Sequence, residues 1–243
     1  SDPATGLNVQ RKYDMFGHVQ RLPLVGIRKT IAANMVRSVT TVAAVTTTDE
    51  IDVTRLWDVR EKEKVLVQKK GVKLTFLAYI MKALAAALKE HPYLNSSLED
   101  EEIVLKKYYN LGFAVDADGK GLLVPVVKGV DQKDILHIAT ELEKLAHLAR
   151  TMKLNSMDMR GGTFTITNYG SLGGLFATPI INYPEAAILG LGKIYDKAVP
   201  LKGKIKIRKT LPVSLTFDHR ILDGAAAQQF INTLKRYLED PDL

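Results

Sequence analysis

Between Leu211 and Leu238 the spacing of apolar residues changes from two to about 3.6. Leu211, Val213, Leu215 and Phe217 fall on one side of a strand, whereas Ala227, Phe230, Ile231, Leu234 and Leu238 recur as on one face of a helix. The two periods meet across TFDHRILDGAA. Each element is apolar on one side only, so each needs a partner layer to cover it. The same interleaving of strand and helix signals runs through the chain and predicts an α/β fold, a mixed sheet covered by helices.

Upstream, residues 1–20 (SDPATGLNVQRKYDMFGHVQ) have little periodicity and carry Pro3 and Gly6, which predicts a flexible tail or linker ahead of one domain over 21–243. LVGIRKTIAANMVRS spaces Leu24, Ile27, Ile31, Met35 and Val36 for a helix, and VAAVTTTDEIDV reads as a strand. Two helices come next. VTRLWDVREKEKVLVQKKG closes at Gly71, and the largely apolar TFLAYIMKALAAALKEHP is a buried helix stopped by Pro92. DADGKG is a turn signal between two apolar runs, hence a hairpin. DILHIATELEKLAHLART is amphipathic. GTFTITNYG, EAAILGLGKI, KIKIRK and LPVSLTFDH predict four further strands.

Composition excludes several classes. No apolar run approaches the ~18 residues of a membrane span, and no signal peptide opens the chain. Zero cysteines exclude a disulfide scaffold, a zinc-thiolate site and a cysteine nucleophile. A cytoplasmic home is the expectation, or the mitochondrial matrix in a eukaryote. The net charge of +7 favours an anionic ligand, but the basic residues are scattered and VREKEKVLVQKK interleaves both signs. This predicts neither a nucleic-acid nor a membrane partner; a phosphate-bearing cofactor needs only a few local cations. The five histidines show no metal spacing, so no metal site is expected. YGSLG lacks the first glycine of a hydrolase elbow, GLGKIY lacks the third glycine of a dinucleotide loop, and YDKA is not in the context of a lipoyl module.

Two stretches carry candidate chemistry. If the alternation of Leu211 to Phe217 continues, His219 falls on the apolar face at the strand end. Desolvation there would keep its imidazole neutral and able to accept a proton. A core histidine bonded to a carbonyl satisfies the same pattern. Asp223 is suited to cap the following helix, or to pair with an arginine and fix the loop that carries His219. In GGTFTITNYGSLGG, Thr167 and Asn168 end a strand at a glycine-rich loop, where a hydroxyl can face a developing oxyanion. A plain turn after an edge strand is the other reading.

Together with GIRKTIAANM, DEIDVT, GVKLTFLAYIMKAL, LGFAVDADGKGLLVPVV, PIINYPEAAILGLGKI and FDHRILDGA, that stretch gives seven ordered matches over residues 21–243. The chain resembles the catalytic domain of the dihydrolipoyl acyltransferases of 2-oxoacid dehydrogenase complexes. Chloramphenicol acetyltransferases and condensation domains share a related HHxxxDG, but Asp218 stands here where the first His would be. The resemblance implies a chloramphenicol-acetyltransferase-like fold and acyl transfer between dihydrolipoamide and coenzyme A. It implies His219 as general base, Thr167 as oxyanion donor and Asp223 as an orienting carboxylate. It also implies coenzyme A contacts at Arg60, Thr75, Asp116, Asn168 and Gly192, with a family glutamine contact missing near Ala146.

The implied partners are further copies of the chain, in trimers that assemble into a cage. A lipoyl group on a separate domain and the decarboxylase and dihydrolipoyl dehydrogenase components complete the set. Glu185 in NYPEAA resembles acetyl or branched-chain members. A soluble small-molecule acetyltransferase using acetyl-coenzyme A and a non-catalytic scaffold are the alternatives.

Overall fold

The computed structural model describes residues 10–68, 71–117, 119 and 121–241. Among these residues thirteen strands and five α-helices succeed one another. β1 (Gln10–Asp14) and β2 (Gly17–Arg21) form an antiparallel hairpin where the sequence predicts a flexible tail. Its turn is fixed by the Asp14 carboxylate, which accepts the N–H groups of Phe16 and Gly17. Residues 1–9 of that expected tail lie outside the described residues. α1 (Gly26–Thr41) then leads into β3 (Ala44–Asp52), α2 (Thr54–Gln68) and α3 (Phe76–Glu90). α1 turns Ile27, Ile31 and Met35 inward as the spacing predicts, together with Ser38; Val36 is exposed, and so is Leu24, which precedes the helix. On that face the Ser38 hydroxyl donates to the Ile181 carbonyl at 2.7 Å.

The middle of the chain holds β4 (Ser96–Glu99), β5 (Glu102–Leu105), β6 (Leu111–Phe113), β7 (Val115–Asp116), β8 (Leu122–Leu123) and β9 (Val126–Val127). β7 and β8 pair antiparallel across DADGKG, as the turn signal predicts; Asp118 and Lys120 lie outside the described residues. α4 (Ile135–Arg150) comes next, with Asp134 accepting the His137 N–H as its cap. The last third contains β10 (Phe164–Asn168), β11 (Ala187–Leu191), β12 (Tyr195–Leu201), β13 (Lys204–Asp218) and α5 (Gly224–Glu239).

The main sheet runs β12-β13-β11-β10-β6-β9, with β3 on the other side of β13. β10 pairs parallel with both β6 and β11, whereas β11, β12 and β3 run antiparallel to β13, so the sheet is mixed as expected. KIKIRK and LPVSLTFDH are not two strands but one of 15 residues. Pro212 does not break it because residues 192–194 oppose only 211–212 at that point, between the Leu191–Val213 and Tyr195–Thr210 pairs. At such a bulge the missing proline donor costs no ladder bond, and the Pro212 carbonyl still accepts the Gly192 N–H at 2.8 Å.

Leu211, Val213, Leu215 and Phe217 are buried beneath α3 and α5, whose inward residues include Met81, Leu84, Phe230 and Leu234. The core therefore fixes where the long central strand ends, and with it the starting point of the turn beyond Asp218.

Candidate active site

A cleft of about 640 Å³ opens beside the C-terminal end of β10, between the start of α3, the β7–β8 hairpin and α4. That volume is in the range of small-molecule sites. Thr75, Asp116, Thr167 and Asn168, four of the residues singled out from the sequence, line it together. Thr167 is half-buried, and among the described residues nothing hydrogen-bonds its hydroxyl. Thr75 occupies the N-cap position of α3 without a side-chain cap bond, so its hydroxyl is available to the cleft. Among the described residues the cations lining the cleft are Lys73 and Arg150, which sequence reasoning did not single out; Ala146 is also in the wall.

Arg60 and Gly192 are not among the lining residues. The Arg60 guanidinium donates twice to the Leu74 carbonyl, at 3.0 and 3.2 Å, pairs with Glu61 and lies 5.0 Å over the Phe76 ring. It holds the residues on either side of Thr75. Gly192 is required by packing. A Cβ there would stand 2.2 Å from the Leu175 carbonyl oxygen, and one on Gly170 would stand 2.3 Å from that of Gly192. The loop after β10 thus closes backbone-to-backbone over the bulge.

Tyr169 anchors the same loop. Its ring lies over Gly190, where a Cβ would come within 2.8 Å, and its hydroxyl is 3.0 Å from the Ser214 hydroxyl on β13. In the sequence Tyr169 serves only to break a hydrolase motif; its partner Ser214 is distant along the chain.

His219 sits one residue beyond β13. The strand alternation predicts a partly desolvated ring, but in the single chain His219 is exposed, because the sheet and its helix cover end at Asp218. Its ring centroid lies 5.7 Å from that of Phe217, the planes tilted by 34°, and neither ring nitrogen has a hydrogen-bond partner among the described residues. The backbone beneath it is tightly held. Its N–H donates to the Ala43 carbonyl at 2.8 Å. Asp218, 2% exposed, takes a forked bond from Arg220 at 2.9 and 2.6 Å and also accepts the Arg220 N–H at 3.1 Å. Asp223 accepts the Ala226 N–H at 2.9 Å and caps α5; the arginine of this loop pairs with Asp218 rather than with Asp223.

Thr167 pairs with Gly190, and Gly190 with Ser214, so Thr167 is two strands across from β13 and five residues short of His219. At ~4.8 Å between strands and ~3.3 Å per residue, the two Cα atoms are about 20 Å apart. No pair of rotamers closes that gap to the ~3 Å of a shared reaction centre.

The mixed sheet with its helix layer defines a chloramphenicol-acetyltransferase-like fold. A chloramphenicol acetyltransferase superposes with a TM-score of 0.51 at 15% identity, over 89% of this chain and 99% of that one, a likeness of fold alone. The chain belongs to the 2-oxoacid dehydrogenases acyltransferase (catalytic domain) family, whose family model matches residues 16–243. It is 51% identical over 219 residues to the dihydrolipoyllysine-residue acetyltransferase component of the pyruvate dehydrogenase complex of Staphylococcus epidermidis, covering 89% of this chain and 50% of that protein. A dihydrolipoamide acetyltransferase of Azotobacter vinelandii superposes with a TM-score of 0.90 at 43% identity, covering 93% of both chains. The cubic core of a pyruvate dehydrogenase multienzyme complex superposes at 0.89 with 42% identity, again over 93% of both. The chain spans about half the length of the curated relatives it matches. Among the described residues no helix is long and apolar enough to cross a membrane, and no group of acidic, His or Cys side chains could hold a metal.

Proposed function

We propose that this chain transfers an acetyl group between dihydrolipoamide and coenzyme A, and that its copies build the core of a pyruvate dehydrogenase complex. One observation carries the reading. The residues suited to be base and oxyanion donor are both without side-chain partners among the described residues, yet stand about 20 Å apart in one chain, as two strand spacings and five residues of rise require. A site shared between subunits, with His219 of one facing Thr167 of the next, accounts for both facts.

The cleft suits coenzyme A. Lys73 and Arg150 offer charge to its phosphates, and Thr75, Asp116 and Asn168 offer polar partners to its pantetheine arm. Coenzyme A and the lipoyl group, the latter on a separate domain, supply the two thiols between which the acyl group moves. A thiol of pKa ~8.5 is mostly protonated at neutral pH, so attack needs a base. His219 takes the proton of the attacking thiol and returns it to the departing one. The Thr167 hydroxyl donates to the carbonyl oxygen while it carries charge. Arg60 acts on this site through Leu74, and Gly192 through the loop above it. The Azotobacter relative has been investigated for the roles of a serine, a histidine and an asparagine four residues beyond it in catalysis; Thr167, His219 and Asp223 are our candidates for the corresponding positions. The decarboxylase and dihydrolipoyl dehydrogenase components follow as partners from the same reading.

Dihydrolipoamide offered with acetyl-, isobutyryl- or succinyl-coenzyme A tests it. The acetyl donor is expected to react fastest; absence of transfer from all three, by folded assembled protein, contradicts the proposal.

A further inference from the structure

The turn of residues 182–185 ends in an acid with nowhere to put a charge. Glu185 is 6% exposed. Its Oε1 accepts from the Asn182 side-chain amide at 3.0 Å, and that amide also reaches Thr165 Oγ1 at 3.4 Å. Its Oε2 is buried without a hydrogen-bond partner among the described residues. Gly162 fits closely beneath it: a Cβ there would stand 2.9 Å from Oε1 and 3.4 Å from Val126 on β9.

None of Thr165, Asn182, Gly162 and Val126 is charged. Among the described residues no charged side chain bonds Glu185: Arg37 of α1 lies 4.6 Å over the Tyr183 ring, Asp218 and Arg220 pair with each other, and neither Arg160, two residues before Gly162, nor His219 makes a hydrogen bond or ion pair with it. An ionised carboxylate here would leave an anionic oxygen dry and unpaired, whereas a neutral acid leaves only a hydroxyl.

The turn also bears on His219. The Ala186 carbonyl accepts the Asp218 N–H at 2.9 Å, and the register that sets Ala187 opposite Phe217 brings Glu185 level with His219.

We propose that Glu185 is held as a neutral carboxylic acid that pins the 182–185 turn against β10, and that losing its proton loosens the end of β13 from which His219 projects. It is a positioning residue and touches no reacting atom. Its effect on transfer rests on the function proposed above; the protonated acid itself does not. Burial, partly offset by the polar side chains of Thr165 and Asn182, pushes the Glu185 carboxyl from 4.5 up to about 7. Between those values the folded chain holds a proton that the unfolded chain releases. The stability it contributes is therefore complete below about 4.5, falls as pH rises and is gone above about 7.

The test is the thermal midpoint of the assembled protein from pH 4.5 to 8.5, for wild type and Glu185→Gln. Wild type is expected to lose stability relative to the variant as pH rises, levelling above about 7. A pH-independent difference overturns the proposal. If the variant fails to fold, infrared spectra of wild type decide. A protonated-carboxyl band at pH 6, above the ordinary carboxylate range, that vanishes by pH 8.5 supports the pin, and its absence at pH 6 overturns it. The ratio of wild-type to variant transfer rates is expected to fall several-fold over pH 6 to 8.5. A flat ratio beside a pH-dependent stability difference overturns the link to His219. Absence of transfer from both proteins counts against the proposed function instead.

Discussion

At the end of β10, Thr167 stands half-buried in a cleft whose walls come from its own chain; at the end of β13, His219 stands in solvent on a turn fastened from below. Both ends are well oriented. The first is held by Tyr169 on Ser214 and by close-packed glycines, the second by the Asp218–Arg220 fork and the Ala43 carbonyl. Only the first is enclosed. A general base left in water gains orientation from its backbone, but not the exclusion of water that strengthens proton transfer and charge stabilisation. The contrast shows that orientation is set within one chain, while enclosure of His219 needs a surface from elsewhere, for which another copy of the chain is our candidate.

The largest expected effect is at the exposed end. His219→Ala should lower transfer by roughly 10²–10⁴-fold and leave coenzyme A binding, measured by calorimetry, nearly unchanged, because the cleft lies about 20 Å away. Near wild-type turnover in the folded variant would remove the base from the account. Next comes the enclosed end. Thr167→Ala should lower kcat by roughly 10²-fold, the scale of one lost oxyanion donor, and Thr167→Ser should retain most of it. Equal rates for the two variants would mean that the hydroxyl is not used and that the cleft only binds.

Much of this contrast is legible in the sequence, and the reasons for the rest are physical. Alternation gives the buried face of β13 and the face of α5, because period reports which side of an element is apolar. The same pattern places His219 in a desolvated setting that the single chain does not supply, because a period says nothing of where the covering layer stops. Thr75, Asp116, Thr167 and Asn168, singled out from separate stretches of the sequence, line one cleft. Arg60 and Gly192 lie outside the cleft lining, joined to it through a carbonyl and a close backbone approach that no residue type announces. The β1–β2 hairpin is hidden because it lacks an apolar face; all of β1 is exposed.

The smallest expected effect sharpens the exposed end further. Asp223→Ala removes the cap of α5 and should cost about 1 kcal/mol in thermal or denaturant unfolding, with transfer reduced less than tenfold. A loss as large as that of His219→Ala, without matching loss of stability, would make the carboxylate part of the chemistry rather than of the helix.

Co-refolding two inactive variants, His219→Ala and Thr167→Ala, tests the shared site most directly. In random equimolar oligomers each interface draws an intact His219 and an intact Thr167 with a chance of one half each, so activity should recover to about a quarter of wild type. Sedimentation must show that mixed oligomers formed. If it does and the mixture stays as inactive as its components, His219 and Thr167 do not meet across subunits, and the shared-site account is wrong.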